Sequence, residues 1–127
     1  MIVVYMTLTG QSRRFVNKLP FESYELSTAF PSKEMTTDFV VVAPTYDYEM
    51  TSIIDDFIDY KNNGHFFKGV AGSGNINFAD LFVFTARDIA KKYNVPIIAE
   101  FEFSGTETDV EKFIKGVESI GNTSFTE

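Results

Sequence analysis

The sequence predicts an α/β domain built on a doubly wound, five-stranded parallel sheet of order 2-1-3-4-5, with helices on both faces. Three observations lead there. Short runs rich in β-branched residues alternate with segments whose apolar residues recur every three or four positions. The strand-like runs, such as FVVVA at residues 39–43, show no polar alternation, so both faces of the sheet must be covered. The whole chain, residues 1–127, has a length that suits one domain with right-handed crossovers between its strands.

Each element has its own signal. Residues 2–6 (IVVYM) read as a buried first strand, and Phe15, Val16 and Leu19 place a helix over about residues 11–18. Residues 23–26 make a weaker, peripheral strand, and residues 30–37, with Pro31 and several hydroxyls, make a connection. The third strand, 39–43, is closed by Pro44. Ile53, Ile54, Phe57 and Ile58 share one face of a helix over 51–60, which leaves Asp55, Asp56 and Asp59 to solvent, and residues 62–64 end it. Residues 67–72 make the fourth strand and run into a Gly-rich loop at 72–75. Leu81, Phe82, Thr85, Ala86, Ile89, Ala90 and Tyr93 mark the clearest helix, stopped by Asn94. Residues 95–103 make the fifth strand. Thr106 and Asp109 then stand at capping-box spacing ahead of a last helix lined by Val110, Phe113, Ile114, Val117 and Ile120.

Composition excludes much chemistry. Without cysteine there are no disulfides, no thiol catalysis and no cysteine-held iron–sulfur cluster. The single His65, expected at the surface before the fourth strand, offers no histidine cluster for a metal. Redox chemistry would therefore need a bound cofactor. A net charge of −7 disfavours nucleic acid and anionic membranes, and favours docking onto a more basic protein surface. The opening MIVVYMTLTG has no charged leader region and too short an apolar run for a signal peptide or a membrane span. The expectation is a cytoplasmic monomer that docks transiently.

In this fold ligands bind beyond the carboxyl ends of the strands. After the first strand, Thr7, Thr9 and Ser12 offer hydroxyls, Gly10 lets the backbone curl, and Gln11 and Ser12 open a helix whose positive end favours phosphate. Arg13 and Arg14 oppose that dipole, so an anion is expected beside them. After the third strand, residues 44–49 (PTYDYE) present Tyr46 and Tyr48, which a planar ring would cover. After the fourth, Gly72, Ser73 and Gly74 allow close backbone approach, Asn75 adds side-chain hydrogen bonds, and Phe78 adds an apolar face. Each loop has a plainer reading as an ordinary polar, aromatic or Gly-rich turn. Together they describe a phosphate end beside a flat aromatic end, the shape of FMN. The first loop has no G-x-G-x-x-G for an adenine dinucleotide. A phosphoacceptor receiver domain is disfavoured as well, because Met6, Thr7, Ala43 and Pro44 stand where it needs acids.

Residues 7–15 (TLTGQSRRF) resemble the phosphate loop of flavodoxins. With residues 69–75 (GVAGSGN), Val95-Pro96 and residues 101–106 (FEFSGT), nearly the whole chain resembles the NrdI family. That resemblance implies a flavodoxin-like fold and non-covalent FMN. It implies a redox accessory protein whose reduced flavin turns oxygen into superoxide or peroxide for the dimanganese–tyrosyl radical site of the class Ib ribonucleotide reductase small subunit. An unidentified flavin-reducing protein would be the second partner, and no metal site is implied. Carried over by position, Thr7, Thr9, Gly10, Gln11 and Ser12 would hold the phosphate. Pro44, Thr45, Tyr46 and Asp47 would flank the isoalloxazine, with Gly72, Ser73, Gly74, Asn75 and Phe78 on its other edge. Residues 45–50 lack the glycine found in many relatives' flavin loops, which leaves the hydrogen bond to flavin N5 open. The alternatives are a general flavodoxin electron carrier and a cofactor-free interaction domain of the same fold.

Overall fold

The computed structural model describes residues 1–6, 10–26, 33–44, 48–74, 84–102 and 105–125. Strands β1 (Ile2–Tyr5), β2 (Glu22–Glu25), β3 (Phe39–Pro44), β4 (Phe67–Gly74) and β5 (Ile97–Glu102) pair in parallel, in the predicted order β2-β1-β3-β4-β5. The helices are α1 (Gln11–Val16), α2 (Tyr48–Asp59), α3 (Asn63–Phe66), α4 (Phe84–Tyr93) and α5 (Glu107–Phe125).

The central strand β3 explains the layering. Its residues from Phe39 to Ala43 are fully buried, because alternate side chains meet a different set of helices on each face. Phe39, Val41 and Ala43 pack with Ile54, Phe57 and Ile58 of α2 and Ala86, Ile89 and Ala90 of α4. Val40 and Val42 pack with Phe15 and Val16 of α1 and Phe113 and Val117 of α5. Burying each such large side chain stabilises the fold by about 1.5–3 kcal/mol. The weaker strand β2 is a half-exposed edge, as its sequence predicts, and β5 is the other edge.

Several boundaries differ from the sequence expectation. The ladder to β5 continues through Gly72↔Glu100, Ser73↔Phe101 and Gly74↔Glu102, so residues 72–74 belong to β4 and not to a loop. Helix α1 stops at Val16, where Lys18 and Leu19 turn back onto the carbonyls of Phe15 and Val16. Helix α2 starts at Tyr48, three residues ahead of the predicted start at 51. Residues 62–64 do not simply end α2. A short helix, α3, follows and carries the exposed His65. Its anchor is the fully buried Asn63, which accepts the Met35 N–H at 2.7 Å and donates to the carbonyls of Lys33 and Phe57 at 2.8 Å each.

Asn94 stops α4 at a positive φ of 55°, as expected. Pairing then starts with the Val70 N–H on the Pro96 carbonyl, so β5 is shorter than residues 95–103, of which Phe103 lies outside the described residues. The capping box forms: the Thr106 N–H donates to Asp109 Oδ2 at 2.8 Å, and the Asp109 N–H donates to Thr106 Oγ1 at 3.2 Å. Asp55 and Asp59 are not merely solvated. The Tyr93 hydroxyl lies 3.3 and 3.1 Å from their carboxylates, and Lys92 reaches Asp55 at 3.2 Å, which ties α4 to α2.

Candidate functional site

All strands being parallel, their carboxyl ends share one rim, and three of the segments singled out in the sequence begin there. Gly10 caps α1 in the left-handed region at φ 87°, with no side-chain cap and no acid in the first turn. That φ requires glycine, and among the described residues nothing lies within 4 Å of where a Cβ would stand on Gly10, so the space beyond is open. Gln11 follows, half-exposed, its Oε1 accepting from Arg14 Nη1 at 3.3 Å.

Ser12 joins two of the segments directly. It is 1% exposed and Ser73 is 5% exposed, with their hydroxyl oxygens 3.4 Å apart. The start of α1 is thereby fixed to the end of β4. Ser73 in turn stands opposite Pro44 on β3 and Phe101 on β5. The structure thus gathers Gly10, Gln11, Ser12, Pro44, Gly72, Ser73 and Gly74 at one rim. Thr7, Thr9, Thr45, Tyr46, Asp47, Asn75 and Phe78 lie outside the described residues.

Beneath α1, Phe15 stacks on Phe101 with centroids 3.9 Å apart and meets Phe113 edge-on. Gly105 closes over this stack at φ 75°, where a Cβ would come within 2.7 Å of Phe15 Cδ1. Phe101 and Gly105, both from the turn that the sequence singled out, therefore seat the helix at the start of the rim.

The anion expected beside Arg13 is the protein's own Glu25. Arg13 Nε and Nη2 donate to its two carboxylate oxygens at 2.8 and 2.9 Å, a two-pronged bond that the sequence did not announce. The Tyr5 phenol lies against the same pair, its pKa raised by burial first and by Glu25 next.

A further rim residue was read from the sequence as part of an apolar helix face. Thr85, in the first turn of α4, is 1% exposed, and its hydroxyl is a buried side-chain oxygen with no partner among the described residues. The far end of α4 lies beside the start of β4, where Tyr93 meets Phe67, so Thr85 belongs to the rim end. Among the described residues, no group of acidic or histidine side chains could hold a metal, and no helix is long and apolar enough to cross a membrane.

Comparison with known proteins agrees with this architecture. A family model described as "NrdI Flavodoxin like" matches residues 3–115. A Protein NrdI from Bacillus licheniformis is 37% identical over 120 residues, covering 93% of this chain and 88% of the relative. One from Ruegeria sp. is 34% identical over 121 residues, covering 91% of this chain and 86% of the relative. Among solved structures, a short-chain flavodoxin associated with a non-canonical PDU bacterial microcompartment is similar with a TM-score of 0.64 and 25% identity, covering 96% of each chain. A Streptococcus pneumonia flavodoxin, with a TM-score of 0.61, 21% identity and coverage of 96% and 97%, attests the fold alone.

Proposed function

The chain belongs to the NrdI flavodoxin-like family, and from that premise we propose that it holds FMN at this rim and serves the small subunit of a class Ib ribonucleotide reductase. Bound FMN would supply the one- or two-electron reduction of dioxygen, with electrons from a flavin-reducing protein, and hence the superoxide or peroxide for tyrosyl-radical assembly at the small subunit's dimanganese site.

The observation that carries the FMN reading is the meeting of Gly10, Gln11 and Ser12 with Ser73 at the end of β4, through the 3.4 Å contact of two buried hydroxyls. The residues present fit a phosphate ester. Gly10 leaves open space, α1 starts there with amide donors that have no acceptor within the helix, and its first turn holds no carboxylate. The Thr85 hydroxyl, without a partner among the described residues, suits a rim that has a polar group still to receive.

This chain's residues bind and orient. The turn at residues 7–12 would grip the phosphate, with Ser73 fixing the direction of the Ser12 hydroxyl. Pro44, which offers no N–H, ends β3, and Thr45, Tyr46 and Asp47 would flank one side of the ring. Gly72, Ser73 and Gly74 end β4, and with Asn75 and Phe78 they would flank its other edge. The acidic surface, at a net −7, suits transient docking on a more basic partner.

A second reading, a general electron carrier, is favoured by the likeness to solved flavodoxins. One experiment separates them. The protein is mixed with FMN, freed of excess and scanned, then reduced and added in air to a manganese-loaded small subunit while the radical is followed by electron paramagnetic resonance. Retained flavin bands with a radical support the proposal. Retained flavin without a radical supports the carrier, and absence of flavin leaves a cofactor-free interaction domain.

A further inference from the structure

We infer that the Arg13–Glu25 pair is a positioning clasp for the phosphate end of the flavin site, and that preference for FMN over riboflavin depends on Glu25. This rests on the FMN reading above. Helix α1 has six residues, too few to hold a helix unaided in water. Among the described contacts it is fastened to three strands: by Phe15 to Phe101 on β5, by Ser12 to Ser73 on β4, and by Arg13 to Glu25 on β2. Only the last of these restrains it from the β2 edge.

The clasp stands at the right level. Glu25 ends β2 and pairs in register with Tyr5, which ends β1 just before the phosphate turn. Two parallel N–H···O bonds fix direction as well as distance. The side chains are 51% and 34% exposed, so the pair adds little to folding and its effect falls on the orientation of α1. It also neutralises Glu25, which left alone at the end of β2 would repel an incoming phosphate.

The test titrates FMN and riboflavin into wild type, Glu25→Gln, Arg13→Gln and the exchanged pair Arg13→Glu with Glu25→Arg, following flavin fluorescence. Each single change should lower the FMN-to-riboflavin affinity ratio by about fivefold, with riboflavin binding itself unchanged. The exchanged pair, which rebuilds the clasp with its charges reversed, should bring the ratio back to within about twofold of wild type. A merely destabilised protein would lose both ligands together. Single variants that keep the wild-type ratio overturn the clasp. An exchanged pair as weak as Arg13→Gln also overturns it, because Arg13 would then act as a cation on the phosphate. A wild type that takes up no flavin sinks the FMN reading and the clasp with it. A wild type that keeps FMN beside indifferent variants sinks the clasp alone.

Discussion

The two faces of the sheet are equally apolar and differently fastened. On the face covered by α1 and α5, Ser12 to Ser73 and Arg13 to Glu25 tie α1 at the carboxyl-end rim, and Lys18 Nζ donates to the Gly105 carbonyl at 3.1 Å. On the face covered by α2 and α4 the ties are spread: Arg87 in the first half of α4 makes a two-pronged pair with Glu100 on β5, the web around Asn63 and Tyr93 with its two aspartates hold the opposite end, and Thr85 has no partner among the described residues. Both faces have an aromatic core: Phe15, Phe101 and Phe113 on one, Phe39, Phe57 and Phe67 on the other. The contrast teaches that burial holds the layers together, while a few polar contacts fasten each helix to particular strands.

The strongest way to break this contrast is to cut each core. Phe15→Ala and Phe57→Ala should each cost about 3–5 kcal/mol in urea unfolding, since both rings are fully buried. Only Phe15→Ala should also lower the FMN-to-riboflavin ratio, and an equal drop in Phe57→Ala would erase the distinction between the faces. Asn63→Ala should cost about 3 kcal/mol by stranding the Met35 N–H and two carbonyls, with that ratio intact. Thr85→Val should stabilise the flavin-free protein by about 1 kcal/mol, because it removes a buried hydroxyl that has no partner among the described residues. A loss of stability instead would show that the hydroxyl is satisfied.

The smallest effect is one of pH. Burial, and then the charge of Asp55, raises the Tyr93 pKa above its ordinary value near 10. Because the folded state holds this proton more tightly, its contribution is complete below about pH 10 and is lost as pH rises from there toward the folded pKa. Unfolding curves between about pH 8 and 11 should therefore fall less steeply in Tyr93→Phe than in wild type. Equal slopes would mean that the tie between α4 and α2 carries no weight.

What the sequence disclosed and what it withheld follow from range. The unbroken FVVVA run, the spacing of Ile54, Phe57 and Ile58, the stop at Asn94 and the Thr106–Asp109 box are local patterns, and they led to the strand order and most helices. The partner of Arg13 could not be read, because Glu25 meets it only once β2 has paired beside β1. Ser12 and Ser73 are 61 residues apart, and only the folded sheet brings them into contact. The extension of β4 through Gly74 was hidden likewise: small residues read as a loop until β5 offers them a ladder. Of the candidate site, its place at the rim was legible, and the ties that hold its first helix were not.

Gly105 shows how such ties can mislead a search for ligand residues. Its neighbour is the ring of Phe15, and a methyl group there would push against the floor on which α1 rests. In a library selected for flavin retention, replacements at Gly105 would be depleted as severely as those in the turn itself. A ranking by depletion alone would therefore file a foundation stone among the fingers of the grip.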